Sequence, residues 1–380
     1  MSGRDALGPA DVDDEHLRTI VARLLGEPVA ELRAVEVETV PYDLEAITTG
    51  GRWWVCGEAV TAGGRRPFRM FVKLVQSWSR SPQFASVPEE VRDFAAASVP
   101  WRTELEVYRS DLGDLLPDGL SMPRAAAVVD IDDLSGAIWM EAVPERPQDW
   151  DDDRFARAAL LLGRLSGSPK VAPLAQIDDH AWTVHDYLHG RLAHQVVPMV
   201  LDDGIWRHPL VAGAFPAELR DRMTAALDEL PAWVDELAAA PHVPGHGDAC
   251  PNNLLAGEHD DDFVLIDFGF WKPLPLGFDL GQLLLGDVQL GRRSADGLRA
   301  LDERIVAAYA DGLRAEGTVI DVECVDRWHA LQMAVFTGVS ALPFEHLEGE
   351  PTAELAAIAA GRAAITTYCL DRVEATRPTV

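Results

Sequence analysis

Two short stretches of this chain carry residues whose types and spacing could do chemistry. His246-Gly247-Asp248 is followed, five residues after the aspartate, by Asn253, and Asp267-Phe268-Gly269 closes the apolar run DFVLIDFG. A carboxylate on a tight loop can accept the proton of an attacking hydroxyl and orient it. An asparagine and a second aspartate nearby supply hard oxygen atoms of the kind Mg2+ prefers. Phosphoryl transfer needs little more from a protein, because metal ions neutralise the phosphate charge and the rest is positioning. Gly247 and Gly269 allow backbone angles that a side chain would penalise.

The elements that must hold these groups can be read from periodicity. Residues 12–25 have helical spacing of apolar positions. LRAVEVETV (32–40), RWWVCGEAV (52–60) and FRMFVKLV (68–75) read as strands, with AGGRRP (62–67) as the turn of a hairpin between the last two. Residues 76–100 look irregular, and WRTELEVYRSDLGDLL (101–116) is helical. RAAAVVDID (124–132) and GAIWMEAV (136–143) add two more strands. Beyond PERPQDW (144–150) helical patterns dominate: 153–166, about 174–201, 216–240 and four more between 277 and 373. The sharp loop PHVPGHGDACPNN (241–253) and the strand 262–269 interrupt them. The expectation is an α+β fold of two lobes. Residues 1–143 form a small mixed sheet with one main helix, and residues 144–380 a larger, mostly helical lobe, with ligands bound in the cleft between them.

HGDACPNN and IDFG resemble the catalytic loop and metal loop of the aminoglycoside phosphotransferase and choline kinase family of small-molecule kinases, which has a protein-kinase-like fold. Protein kinases usually carry an arginine where Gly247 stands and often a lysine where Cys250 stands, and no A-P-E follows the DFG here. The resemblance therefore points to a small-molecule acceptor. It implies ATP (or GTP) and Mg2+, with Asp248 as the catalytic carboxylate and Asn253 and Asp267 as metal ligands. It also implies that Lys73, in the apolar strand FRMFVKLV, contacts the α- and β-phosphates. Such a lysine needs a carboxylate partner. Trp101, Leu105, Tyr108 and Leu112 make an apolar stripe on the following helix, and Glu104 lies on that face while Glu106 lies well round it, so Glu104 is the expected partner. By the same resemblance Met140 lines the adenine pocket, Glu141 offers its carbonyl and Val143 its amide. Asp279 hydrogen-bonds the catalytic loop, which His246 also supports. No G-x-G-x-x-G occurs; the phosphate-covering turn is expected near DLEAITTGG (43–51), with Thr48, Thr49, Gly50 and Gly51 as contacts.

Composition limits the partners. The formal net charge of -29 disfavours nucleic acid and leans towards a cationic acceptor. No apolar run reaches a membrane-spanning length, and the N-terminus has no secretory pattern, so a cytoplasmic protein acting as a monomer or homodimer is expected. The four cysteines are widely separated, which argues against a zinc site or a disulfide framework. Only three lysines occur, Lys73, Lys170 and Lys272, so the place of each is informative. His185 and His189 lack the further ligand a metal site needs. Trp182, Trp271 and Trp328 are possible stacking residues, and Asp186, Glu345 and Glu348 possible amine contacts in the helical lobe. The acceptor is read as an antibiotic such as an aminoglycoside or nucleoside, or else as an amino sugar or amino alcohol of metabolism. A nucleotide-binding pseudokinase, a protein kinase and a nucleotidyl transferase are the other readings.

Overall fold

The computed structural model describes residues 3–41, 47–144 and 146–378; of the expected phosphate-covering turn, residues 43–46 lie outside the described residues. The N-terminal lobe is built on strands β1 Val29–Thr39, β2 Thr49–Thr61, β3 Gly64–Gln76, β5 Ala125–Asp132 and β6 Ser135–Glu141; β4, Leu120–Ser121, lies apart. The five run in the order β1-β2-β3-β6-β5. Each neighbouring pair is antiparallel, where a mixed sheet was expected. β2–β3 and β5–β6 are hairpins, which must run antiparallel. The parallel pairing lies elsewhere, between β4 and β9, Phe263–Leu265.

Alternation along β3 divides its side chains between two cores. Phe68, Met70, Val72 and Leu74 join Trp53, Val55 and Trp139 under the N-terminal helix Asp14–Leu25, which contributes Leu17, Ile20 and Val21. Phe71 and Val75 face the other way, into a core shared with Leu105, Tyr108, Ile138, Met140 and the helical lobe. Since successive strand side chains point to opposite faces, Lys73 lies on this inner face, opposite Ile138 of β6. The N-terminal helix is closed at both ends as its sequence suggests. Asp13 accepts from the His16 amide, and Gly26 ends the helix with φ 70°.

The expected irregular stretch 76–100 contains a short helix, Arg92–Ser98, and the expected helix 101–116 is broken into Thr103–Arg109 and Leu112–Leu115. The expected helix at about 174–201 begins only at Val184. Thr183 and Asp186 cap each other's backbone there, which fixes the start; the helix then passes through a π-helical segment, Leu188–Val196. The helical lobe is completed by Asp152–Gly167, Ala217–Ala238, Phe278–Gln289, Leu298–Ala315, Val322–Met333 and Ala353–Ala375. Helices 152–167 and 298–315 touch backbone to backbone at Gly163 and Gly312. A Cβ at either position would lie 2.1 Å from the opposing carbonyl oxygen. Short strands β7 His242–Gly245, β8 Leu254–Ala256 and β10 Lys272–Pro275, with β9, frame the loops that carry the motifs. Among the described residues no helix is long and apolar enough to cross a membrane.

Candidate active site

The β7–β10 ladder brings the two motifs together. Lys272 pairs with Gly245 and Leu274 with Val243, so the chain leaving Asp267-Phe268-Gly269 runs beside the chain entering His246-Gly247-Asp248. Gly247 has φ 82°, and a Cβ there would meet the Phe270 carbonyl oxygen at 2.4 Å; only glycine satisfies both constraints. Asp279, at the start of helix 278–289, accepts from the amides of His246 at 2.8 Å and Gly247 at 2.7 Å. His246 donates from Nε2 to the Ile266 carbonyl at 3.0 Å and accepts the Asp248 amide at Nδ1 at 3.3 Å. Those partners assign the neutral Nε2–H tautomer and leave the ring no part in proton transfer. Its face lies 5.0 Å from the ring of Phe268, which meets Tyr108 of helix 103–109 at 6.0 Å and 90°.

Asn253 donates from Nδ2 to the Asp248 backbone carbonyl at 2.8 Å and to its carboxylate at 3.0 Å. This fixes the amide so that its oxygen, a hard ligand atom, points away from Asp248. Asp267 sits in the left-handed region at φ 64°, ψ 64°, a strained setting for a residue with a side chain. Its carboxylate accepts from Lys73 Nζ at 2.9 Å, and the same ammonium bonds Glu104 at 2.6 Å. Lys73 and Glu104 are 6% and 3% exposed, so neither charge is screened by water.

The charges follow from this arrangement. Burial alone would lower the Lys73 pKa, but Asp267 and Glu104 hold it above the usual lysine range. Burial would raise Asp267, yet Lys73 outweighs it and the carboxyl sits below its ordinary value. Burial raises Glu104 against the pull of Lys73, and the nearby Asp267 charge adds to the rise. Asp248 is likewise raised by burial and by the charges of Asp267 and Asp279, against the Asn253 bond. A raised carboxyl is a better proton acceptor once ionised.

Asp248, Asn253, Asp267, Lys73, Glu104, His246 and Asp279 are thus joined in one contact network. Met140 is buried on the same face as Lys73. Thr49 opens β2 opposite Val75 and is half-buried. The Glu141 amide bonds the Arg124 carbonyl at 3.0 Å, and its carboxylate accepts the Arg124 amide at 2.9 Å; Val143 lies in the loop beyond β6. The carboxylate of Asp267 and the amide oxygen of Asn253 suit Mg2+, which takes few protein oxygens and completes its shell with substrate phosphates. Among the described residues there is no group of three His, Cys, Asp or Glu side chains placed to hold a metal ion.

The expected acceptor contacts are placed differently. Trp271 is 1% exposed, donates to the Leu174 carbonyl at 2.9 Å and offers no open face, so its role is to hold loop 174–183. Asp186 accepts from the backbone and hydroxyl of Thr183 at 2.7 and 2.9 Å as a helix cap. Glu345 is gripped by both ends of the Arg362 guanidinium. His185 bonds Asp235 at 2.9 Å. Thr103, Asp178 and His180, which sequence reasoning passed over, and Lys272, to which it gave no role, link the lobes beside the site. The scarcity of lysine was the signal for Lys272.

A family model described as the phosphotransferase enzyme family matches residues 80–318, well over half of the chain. No curated protein matches the sequence significantly. Among solved structures, a putative aminoglycoside phosphotransferase from Ralstonia eutropha is 13% identical, with 96% of this chain and 98% of that chain covered at a TM-score of 0.52. An aminoglycoside phosphotransferase from Alicyclobacillus acidocaldarius is 16% identical, with 90% and 93% covered at a TM-score of 0.47. At such identities the Ralstonia likeness carries the fold, a protein-kinase-like pair of lobes.

Proposed function

The chain belongs to the phosphotransferase enzyme family, and from that premise we propose that it transfers the γ-phosphate of ATP, or of GTP, to a hydroxyl of a small molecule bound in the helical lobe. The observation that carries the reading is the buried three-way contact of Lys73 with Glu104 and Asp267, set beside a catalytic loop fixed by Asp279. In this reading Lys73, held as an ammonium, meets the α- and β-phosphates, and Glu104 aims it. Asp248 orients the acceptor hydroxyl and takes its proton. Asn253 keeps the Asp248 carboxylate in place. Mg2+ bound by Asn253 and Asp267 would neutralise phosphate charge. The hinge Met140–Val143 receives the base, and Thr49 lies near the phosphates.

The net charge of -29 supports an acceptor that is cationic as well as hydroxylated: an aminoglycoside or other antibiotic, an amino sugar or an amino alcohol. The test is ADP and GDP release with Mg2+ against a panel of these compounds, wild type beside Asp248→Ala. Turnover with one acceptor that vanishes in the variant supports the reading and names the acceptor. Release of pyrophosphate instead of a nucleoside diphosphate, or no binding of either nucleotide, would overturn it.

A further inference from the structure

Lys272 is a buried lysine that the transfer step does not use. It is 3% exposed, its Nζ lies 3.3 Å from His180 Nδ1, and it sits 5.6 Å from the centre of the Trp182 ring. Burial lowers its pKa, and the charges of Asp178 and Asp186 pull the other way. An ammonium can only donate, so His180 must accept at Nδ1. The other ring nitrogen, Nε2, then carries the proton and donates to the Ala97 carbonyl at 2.9 Å. Ala97 belongs to the N-terminal lobe, in the short helix that precedes the Glu104 helix. A second link runs alongside. Asp178 accepts the hydroxyl of Thr103, the residue next to Glu104, and also the His180 amide at 3.0 Å.

These contacts close a circuit through the molecule. Asp267 leads along the chain to Lys272, and Lys272 leads through His180 and Asp178 to residues 97–103. Residues 97–103 lead to Glu104, Glu104 to Lys73, and Lys73 back to Asp267. Loop 174–183 is the corner of the circuit, tied at its start by the Trp271 ring N–H, which donates to the Leu174 carbonyl. Helix 103–109 has only seven residues, so its own hydrogen bonds hold its orientation weakly.

We propose that Lys272, His180 and Asp178 are positioning residues for the transfer reaction. They clasp segment 97–103 and keep Glu104 aimed at Lys73, so that the phosphate-binding lysine is ready before nucleotide arrives. The inference rests on the nucleotide-binding reading above. A loosened clasp lowers the fraction of molecules with Glu104 in place, and apparent affinity falls by that fraction; alignment in one molecule of ten gives about tenfold weaker binding.

The experiment is calorimetric titration of AMP-PNP with Mg2+ into the full chain. The proteins are wild type, His180→Phe, Thr103→Val, His180→Gln, Glu104→Gln and the double variant His180→Phe with Glu104→Gln. His180 is half-buried and Thr103→Val is isosteric, and circular dichroism checks that each protein is folded. The expected result is about tenfold weaker binding for His180→Phe and Thr103→Val. Near-wild-type binding is expected for His180→Gln, whose amide keeps one donor and one acceptor. In the Glu104→Gln background, His180→Phe should add less than twofold. Wild-type binding that His180→Phe and Thr103→Val leave unchanged would overturn the clasp while sparing the nucleotide reading. Losses that add in full to Glu104→Gln would show that the clasp does not act through Glu104, and would overturn it too. A wild type that binds no nucleotide removes both.

Discussion

Asp279→Asn separates positioning of the catalytic loop from the chemistry of Asp248. In the wild type two carboxylate oxygens accept two buried amides, His246 at 2.8 Å and Gly247 at 2.7 Å. Hydrogen bonds to a charged acceptor are worth about 1.5–3 kcal/mol each. Asparagine keeps one oxygen for one amide and turns an NH2 group towards the other, so one bond is lost and a donor faces a donor. Asp279 is 4% exposed, so water cannot fill in. The expected loss of stability is about 2–4 kcal/mol, read as a fall in the urea midpoint at unchanged slope. The loop should relax away from the unpaired amide and carry Asp248 with it. A displacement of about 1 Å costs on the order of a hundredfold in rate. The expected result is therefore a kcat near one hundredth of wild type, with nucleotide affinity little changed because Lys73 and Glu104 are untouched. A variant within about 0.5 kcal/mol and twofold of wild type would refute the view that Asp279 holds the loop.

Four further outcomes follow from the same geometry. Asp248→Asn should abolish turnover. In the wild type the acid limb of kcat/KM should lie above the ordinary aspartate value of about 3.9, because burial raises the Asp248 pKa and activity needs the ionised form; a limb at or below that value would contradict the placement. Gly247→Ala should lose most activity, since a left-handed φ of 82° and a 2.4 Å overlap with the Phe270 carbonyl cannot both be relieved without moving the loop; a fully active variant would show that the loop is not so constrained. Asp302→Asn should destabilise the helical lobe by about 3 kcal/mol at neutral pH, because the buried Asp302 bonds His329 at 2.8 Å and Arg372 at 2.9 Å. Burial would raise Asp302, but His329, Tyr368 and Arg372 hold it below its usual value. Its stabilisation is therefore present above about pH 3.9 and lost as pH falls through the depressed folded value, so wild type and variant should converge in acid urea titrations.

What could be read from sequence were the features whose cause is local. The apolar run FRMFVKLV marked the strand that carries Lys73, and the apolar stripe chose Glu104 over Glu106; the two side chains meet at 2.6 Å. Glycine at 247 marked a position of positive φ, whereas in the second motif the left-handed residue is Asp267 and not Gly269. The helix start at Val184 was also legible in principle, as Thr183 and Asp186 have capping-box spacing, but apolar spacing upstream hid it. Strands of two or three residues such as β4 and β8 have no period to detect, because they exist by pairing with β9. The Thr103–Asp178 and His329–Asp302 contacts join residues 75 and 27 positions apart, and no spacing rule brings such partners together.

The burial of Lys73 and Lys272 also makes the chain an unusually clean target for amine chemistry. Of three lysines, only Lys170 stands exposed to solvent. A general acylating reagent should therefore modify one lysine and spare the cleft, giving, apart from the α-amino group, one attachment point for a fluorophore or a surface. On the proposed reading, a nucleotide carrying a reactive acyl group would instead transfer that group to Lys73, and peptide mapping would find the two labels on peptides nearly a hundred residues apart, with no lysine background between them.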